Sequence, residues 1–311
     1  LSCINKQYFL SANIRQQSFN PAIYPCRRRK SALLLCNGAV FRSVSFTGIG
    51  EIYSMNTSHF DVIIIGGSYA GLSAAMALGR SLRTVLIIDS GLPCNRQTPH
   101  SHNFITHDGE PPAAIAAKAK EQVLRYNTVT FLHGKAIKAA QQQHGFDLQT
   151  EAGEHFQAKK LLFATGVIDV MPAIRGFAEC WGISILHFPY CHGYEVHSKK
   201  TGILANGDTG LEMSKLISNW TDDLTLFTNG PSTLTHEQAQ KLQQHGIGGV
   251  EVEIESVEHR DGTITALRGK DGSTHAVEAV YARPALRQHC DIPKELGCVL
   301  TEMGFLQVDE F

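Results

Sequence analysis

The chain reads as an α/β protein built on two strand–glycine–helix units, and three observations carry that reading. "FDVIIIGGSYAGLSAAMALGRSLRTVLIIDS", from Phe60, sets an apolar run, a glycine turn, a helix and a second apolar run in succession. "TGILANGDTGLEMSKLISNWTDDLTLFTNG", from Thr201, repeats that plan. Between and after them lie short segments bounded by turn residues, the pattern of added strands. Two such units in one chain predict two Rossmann-like layers.

In the first unit, Val62–Ile65 is short, apolar and β-branched, as a fully buried parallel strand requires. The turn that follows is Gly66-Gly67-Ser68-Tyr69-Ala70-Gly71. Gly66 permits the tight turn, Gly67 and small Ser68 let backbone approach a pyrophosphate, and Gly71 allows close helix–strand packing. Ala70 opens the helix, whose N-terminus offers N–H groups and a positive dipole end to phosphates. The next strand, "TVLIID", ends at Asp89, 18 residues after Gly71, where a carboxylate can accept from an adenosine ribose. Ser68 departs from G-x-G-x-x-G, but strand, turn, helix, strand and acid are all in place, so we expect dinucleotide binding rather than an ordinary strand–helix turn.

The second unit has its strand at Gly202–Ala205, a helix through Leu211–Ile217 and a strand at Leu224–Phe227. Its turn carries Gly207, Asp208, Thr209 and Gly210 as candidate nucleotide contacts, with Ala205 in place of the first glycine. Thr228, 18 residues after Gly210, replaces the acid, and neutral Thr228-Asn229 tolerates either a ribose hydroxyl or a 2′-phosphate. The choice between NADH and NADPH is left open. "VTFLHGKAIKAA" and "FDLQT" read as a small antiparallel layer, and "KLLFATG" as an apolar strand ending in a tight turn at Ala164-Thr165-Gly166. "VEVEIESVEHRDGTITALRGKDGSTHAVEAVYARP" reads as hairpin-like strands turning at Asp261-Gly262 and Asp271-Gly272.

Composition narrows the function classes. Residues 1–54 carry seven Lys/Arg against one acid, Glu51, which leaves a net of −7 on the rest of a chain whose formal charge is −1. A mildly acidic body argues against nucleic acid. No apolar run reaches the roughly 18 residues of a membrane-crossing helix, so no membrane partner is expected. The eight cysteines form no C-x-x-C pair and no zinc spacing, which reads as reduced cytoplasmic thiols and no metal. His100, His102 and His107 read as a cofactor loop rather than a metal site, and Cys290 and Cys298 as structural or exposed. We expect residues 1–54 to be an extension outside the fold, with the start at Met55.

"VIIIGGSYAGLSAA", "HNFITHDGEPP", "LLFATG", "YCHGYEV" and "ILANGDTGLEMSK", in that order, resemble the low-molecular-weight thioredoxin reductase family. They are most similar to its C-x-x-C-H-G-Y-E branch, which includes gliotoxin-type dithiol oxidases. The resemblance runs from about Phe60 to the last residue. It implies two nested domains: an FAD domain over 60–170, an inserted NAD(P) domain over 171–281, and a returning FAD segment from 282. It also implies FAD contacts at Gly66, Gly67, Ser68, Gly71, Asp89, Asn103, Ala164, Thr165 and Gly166, with Arg96 as an extra phosphate or adenine contact. It implies hydride transfer from NAD(P)H to the flavin, a flavin-facing Cys191, an acid–base His192, and a homodimer.

Two departures follow. Phe188 holds the place of the interchange cysteine, and a phenyl ring carries no mixed disulfide. The chain also stops at "MGFLQVDEF", before the segment with which the family completes its flavin site, so a C-terminally truncated FAD domain is expected. Cys191 alone could be a packed cysteine. Pro189 suits a helix start, however, which sets Cys191 near free N–H groups, and His192 follows as a titratable neighbour. The leading expectation is an FAD-dependent NAD(P)H oxidoreductase with an unidentified acceptor. The alternative is a non-catalytic flavin- or nucleotide-binding remnant.

Overall fold

The computed structural model describes residues 58–308, so the expectations for residues 1–54 and Met55 lie outside the described residues. The first layer is a six-stranded sheet in the order β3-β2-β1-β6-β5-β4. Its centre is β1 (Ser58–Ile65), parallel to β2 (Val85–Asp89) on one side and β6 (His155–Phe163) on the other. Side chains alternate along a strand, and here both faces are covered. Ile63, Ile65, Leu86 and Ile88 pack on one face, Val62, Ile64, Val85 and Ile87 on the other. Double coverage is the reason these segments read as continuous apolar runs. Helix α1 (Tyr69–Arg80) crosses from β1 to β2, and α2 (Pro112–Leu124) leads into β3 (Val129–His133).

"VTFLHGKAIKAA" is not one antiparallel piece. Its first half, β3, pairs parallel with β2 from Val85↔Val129 to Asp89↔His133. The crossover helix α2, Ala-rich and opened by Pro111-Pro112, returns the chain in the parallel sense. Only the second half, β4 (Ala136–Gln142), is antiparallel, to β5 (Gly145–Thr150), which continues the same sheet onto β6.

The chain leaves this layer through β7 (Val167–Val170) and returns through β16 (Ala285–Gln288), and the two strands pair antiparallel. Between them come α3 (Phe177–Cys180), β8 (Ile185–Leu186), α4 (Pro189–His192), β9 (Thr201–Leu204), α5 (Gly207–Ile217), β10 (Leu224–Phe227), α6 (His236–Gln244) and β11 (Gly248–Val250). The antiparallel trio β12 (Ile254–Arg260), β13 (Thr263–Gly269) and β14 (Thr274–Ala276) follows, then β15 (Ala279–Ala282). The second parallel sheet has the order β11-β10-β9-β15-β8. "AVYA" therefore does not extend the hairpins. Its four residues are all buried, and β15 lies parallel between β9 and β8. The fold is two nested Rossmann-like layers, the second inserted into the chain of the first. Helix α7 (Ile292–Glu295) follows the return strand and buries Ile292 against the first layer.

Candidate active site

The first glycine turn is a built cradle. Gly66 has φ +105°, and a Cβ there would stand 2.3 Å from the Ala164 carbonyl oxygen. A Cβ on Gly71 would stand 1.9 Å from the Gly66 oxygen, so only glycine lets α1 start this close to β1. A Cβ on Gly67 would press on Asp89 and the Phe131 ring. Asp89 holds the turn from below: Oδ1 accepts from the Gly67 N–H at 2.8 Å and Oδ2 from the Gly91 N–H at 3.1 Å. Ser68 is the N-cap of α1 without a side-chain cap, and the first turn carries no acid. The positive end of the α1 dipole thus meets no acid from its own first turn, which suits a pyrophosphate. Half-buried Ala70 lies in that first turn, while half-buried Thr165 and exposed Gly166 (φ +65°) follow Ala164 at the end of β6.

The second turn is filled differently. Asn206 caps α5 by accepting from the Gly207 N–H at 2.8 Å, and it also accepts from the Thr233 N–H and hydroxyl. Asp208 accepts from Gln238 Nε2 at 2.6 Å, while Gly210 is buried against Leu226. Thr209 is exposed in the first turn of α5. Thr228 turns inward to the Gly230 carbonyl, and Asn229 Oδ1 accepts from Ile254 N. Thr228 thus braces its own loop, and Asn229 ties that loop to β12.

Cys191 lies where the sequence set it, in the single turn of α4 with Pro189 at its start and Phe188 as N-cap. It is half-buried. The Phe188 ring packs at 5.3 Å on Tyr190, which stands edge-on to Trp220 at 5.2 Å. A Cβ on Gly193 would meet Trp220 Nε1 at 2.7 Å, so the turn is moulded to that indole. Burial pushes His192 below the ordinary imidazole range, and neighbouring His102 works in the same direction. A hydrogen bond to the His100 backbone and the Glu195 carboxylate work against it. His192 Nε2 is buried without a partner. Tyr281, 1% exposed on β15, also has a buried, unpartnered hydroxyl. Burial raises its phenol strongly, helped by Glu195 and Cys191.

The loop between β2 and α2 joins the two regions. Phe104 stands edge-on to Tyr69 of the glycine turn at 6.3 Å. His102 Nε2 lies 3.5 Å from Glu195 Oε1, and its ring stands perpendicular to His192 at 6.0 Å. The structure therefore gathers Gly66, Gly67, Ser68, Gly71, Asp89 and Ala164 at the cradle, and Cys191 and His192 at the docked turn. Arg96 and Asn103 are exposed, and their partners belong to their own loop: the Pro93 carbonyl for the Arg96 guanidinium, Asp108 for the Asn103 N–H. Sequence reasoning passed over Glu195, His102 and Tyr281 as parts of the Cys191 site. Glu195 stood inside the quoted "HGYE", but no spacing in the chain brings Tyr281 to that turn. Among the described residues no group of three or more His, Cys, Asp or Glu is arranged to hold a metal, and no helix is long and apolar enough to cross a membrane.

A family model described as pyridine nucleotide-disulphide oxidoreductase matches residues 60–311. The chain belongs to this family. Within the pyridine nucleotide-disulphide oxidoreductases it is thioredoxin reductase-like. Thioredoxin reductase tcpT of Claviceps purpurea (strain 20.1) is 36% identical over 242 residues, covering 74% of this chain and 75% of that protein. Thioredoxin reductase sirT of Leptosphaeria maculans is 30% identical over 270 residues, covering 79% and 80%. The crystal structure of an oxidoreductase from Agrobacterium tumefaciens superposes with a TM-score of 0.75 at 34% identity, covering 81% of this chain and 85% of that one. Pyridine nucleotide-disulphide oxidoreductases of this type imply FAD and NAD(P)H. The open, glycine-lined first cradle fits the pyrophosphate of a resident FAD. The capped second turn retains its helix N-terminus but spends one N–H donor on Asn206.

Proposed function

We propose that the chain is an FAD-dependent NAD(P)H oxidoreductase of the thioredoxin reductase-like type, passing electrons to an acceptor other than an internal disulfide. The observation that supports it best is the joining of two sites by one loop. That loop touches Tyr69 at the glycine cradle and Glu195 at the Cys191 turn. In this reading residues 60–170 and the segment from 282 hold FAD, and residues 171–281 present NAD(P)H through Gly207, Asp208, Thr209 and Gly210. Gly66, Gly67, Ser68, Ala70 and Gly71 hold the pyrophosphate, while Asp89 holds the turn and the ribose. Ala164, Thr165 and Gly166, with Asn103 and Arg96 from the loop, flank the rest of the dinucleotide. Bound FAD would supply the two-electron chemistry, and the protein orients and excludes water.

Cys191 is the flavin-side sulfur in this reading, and His192 moves the proton. His192 is suited to that task because burial keeps its ring neutral at neutral pH, with Nε2 as the unpartnered nitrogen. Phe188 closes the internal dithiol route, so the acceptor that takes the electrons lies outside the chain: oxygen, a quinone or a partner protein. We place the active form in the cytoplasm as a homodimer.

A second reading, a flavin- or nucleotide-binding protein without turnover, is favoured by Phe188 and by the capped second turn. Anaerobic addition of NADH or NADPH to the FAD-loaded chain separates the two. Bleaching of the flavin band supports the enzyme. Bound flavin that stays oxidised supports the second reading. A chain that binds no FAD contradicts the enzyme, and one that binds neither FAD nor NAD(P)H contradicts both.

A further inference from the structure

We propose that His102 is the positioning residue of the Cys191–His192 turn: from the loop between β2 and α2 it pins Glu195 and sets the edge of the His192 ring, so that Nε2 is the nitrogen presented at the site. The use of that nitrogen as a base rests on the function proposed above. The geometry and its test need no flavin.

His102 stands between two carboxylates, with Nδ1 3.7 Å from Asp108 Oδ1 of its own loop and Nε2 3.5 Å from Glu195 Oε1 across the gap. The same loop supplies a backbone hydrogen bond to His192 from His100. That contact favours the protonated ring. Nε2 is the ring nitrogen left buried without a partner. One segment thus grips the turn twice, at His192 through its backbone and at Glu195 through its side chain. The perpendicular His102 ring closes the third side of His192. The loop is itself braced by the Ser101 N–H on the Glu110 carbonyl and the Gly109 N–H on the Ser101 carbonyl, both at 2.8 Å, so His102 is carried on a closed frame.

The charges around His192 give the proposal a signature. From its own turn His192 faces Glu195 and Cys191; from the loop it faces His100, His102 and, behind His102, Asp108; from β15, Tyr281 faces Glu195 and Cys191. Glu195 draws His192 toward protonation and His102 opposes it. Removing His102 removes that opposition and also releases the Glu195 carboxylate. Removing the charge of Glu195 does the reverse.

The test is a pH titration of the His192 ring by proton–carbon NMR on the chain itself, with the resonance assigned by its loss in His192→Gln. His102→Asn should raise the His192 midpoint by about half a pH unit or more, and Glu195→Gln should lower it. His102→Lys, which sets a fixed cation opposite Glu195, should hold the midpoint at the parent value or below. Alkylation of Cys191 by iodoacetamide, mapped by mass spectrometry across the same pH range, should shift its inflection in the same directions. Midpoints that move together, or do not move in either variant, overturn the proposal. Should His102→Asn fail to fold, Glu195→Gln decides alone: a midpoint that stays or rises overturns it. Opposite shifts in a chain whose flavin NAD(P)H does not bleach would keep the positioning role and remove the proposed function.

Discussion

At the scale of single residues, His192 ties stability to pH. Its folded form is held neutral chiefly by burial, while in the unfolded chain it titrates near the ordinary imidazole value of about 6.5. Above that value both states are neutral and the group costs nothing. As pH falls below it, the unfolded chain binds the proton first, so folding stability drops until the folded ring protonates too. Urea unfolding at pH 7.5 and at pH 5.5 should show a smaller loss in His192→Gln than in the parent. An equal loss in both would mean that the ring is not buried in solution. Gly71→Ala tests the cradle: a methyl 1.9 Å from the Gly66 oxygen forces α1 off β1, at roughly 1–3 kcal/mol. Asp89→Ala should cost roughly 1.5–3 kcal/mol of FAD affinity, read as FAD retained after gel filtration. It should also loosen Gly67, whose N–H loses its acceptor. Equal FAD content in variant and parent would contradict the assignment of this turn to FAD. The glycine and Cys191 positions were legible in the sequence because their chemistry is local. Tyr281 was not, since it reaches the Cys191 site only through the pairing of β15 with β8 and β9.

Elements were legible where burial is symmetrical. β1 and β2 are covered on both faces, so Val62–Ile65 and Val85–Ile88 each show as an uninterrupted apolar run with turn residues after it. Helix α2 was passed over because "AAIAAKAKEQ" is alanine-rich and presents only Pro112, Ile115 and Val123 to the interior, a weak apolar stripe. The missed helix then led to the wrong sense for β3. β15 was misread for the opposite reason: a buried run of four residues beside true hairpins carries no sign of parallel pairing. Capping is a local matter and can be measured separately. Thr235 and Gln238 form a reciprocal capping box at the start of α6. Thr235→Ala should cost about 1 kcal/mol in urea unfolding without changing FAD content. A loss of FAD in that variant would show that α6 also shapes the dinucleotide site, against the division of labour argued here.

For the whole molecule, the nested topology brings together groups that lie far apart in the chain. β7 and β16 lead out of and back into the first layer, and the inserted segment carries Cys191 to a loop of that first layer. On the function proposed above, this arrangement brings Cys191 to the flavin while Phe188 fills the place of its disulfide partner. The most direct measurement is NAD(P)H-dependent reduction of a small disulfide such as DTNB by the FAD-loaded Phe188→Cys variant. Residues 188 and 191 flank the start of α4 with the spacing of a dithiol pair, and the Cys191 N–H already donates to the Phe188 carbonyl at 3.2 Å. Truncating a fully buried Phe to Ala costs roughly 3–5 kcal/mol, so a melting curve must first show that the half-buried site tolerates the change. The account predicts that the folded variant gains disulfide turnover that the parent lacks, and that Cys191→Ser in the same background abolishes the gain. A folded variant that holds FAD, is bleached by NAD(P)H and still leaves DTNB unreduced would contradict it, and Cys191 would then be a packed cysteine that does not meet the flavin.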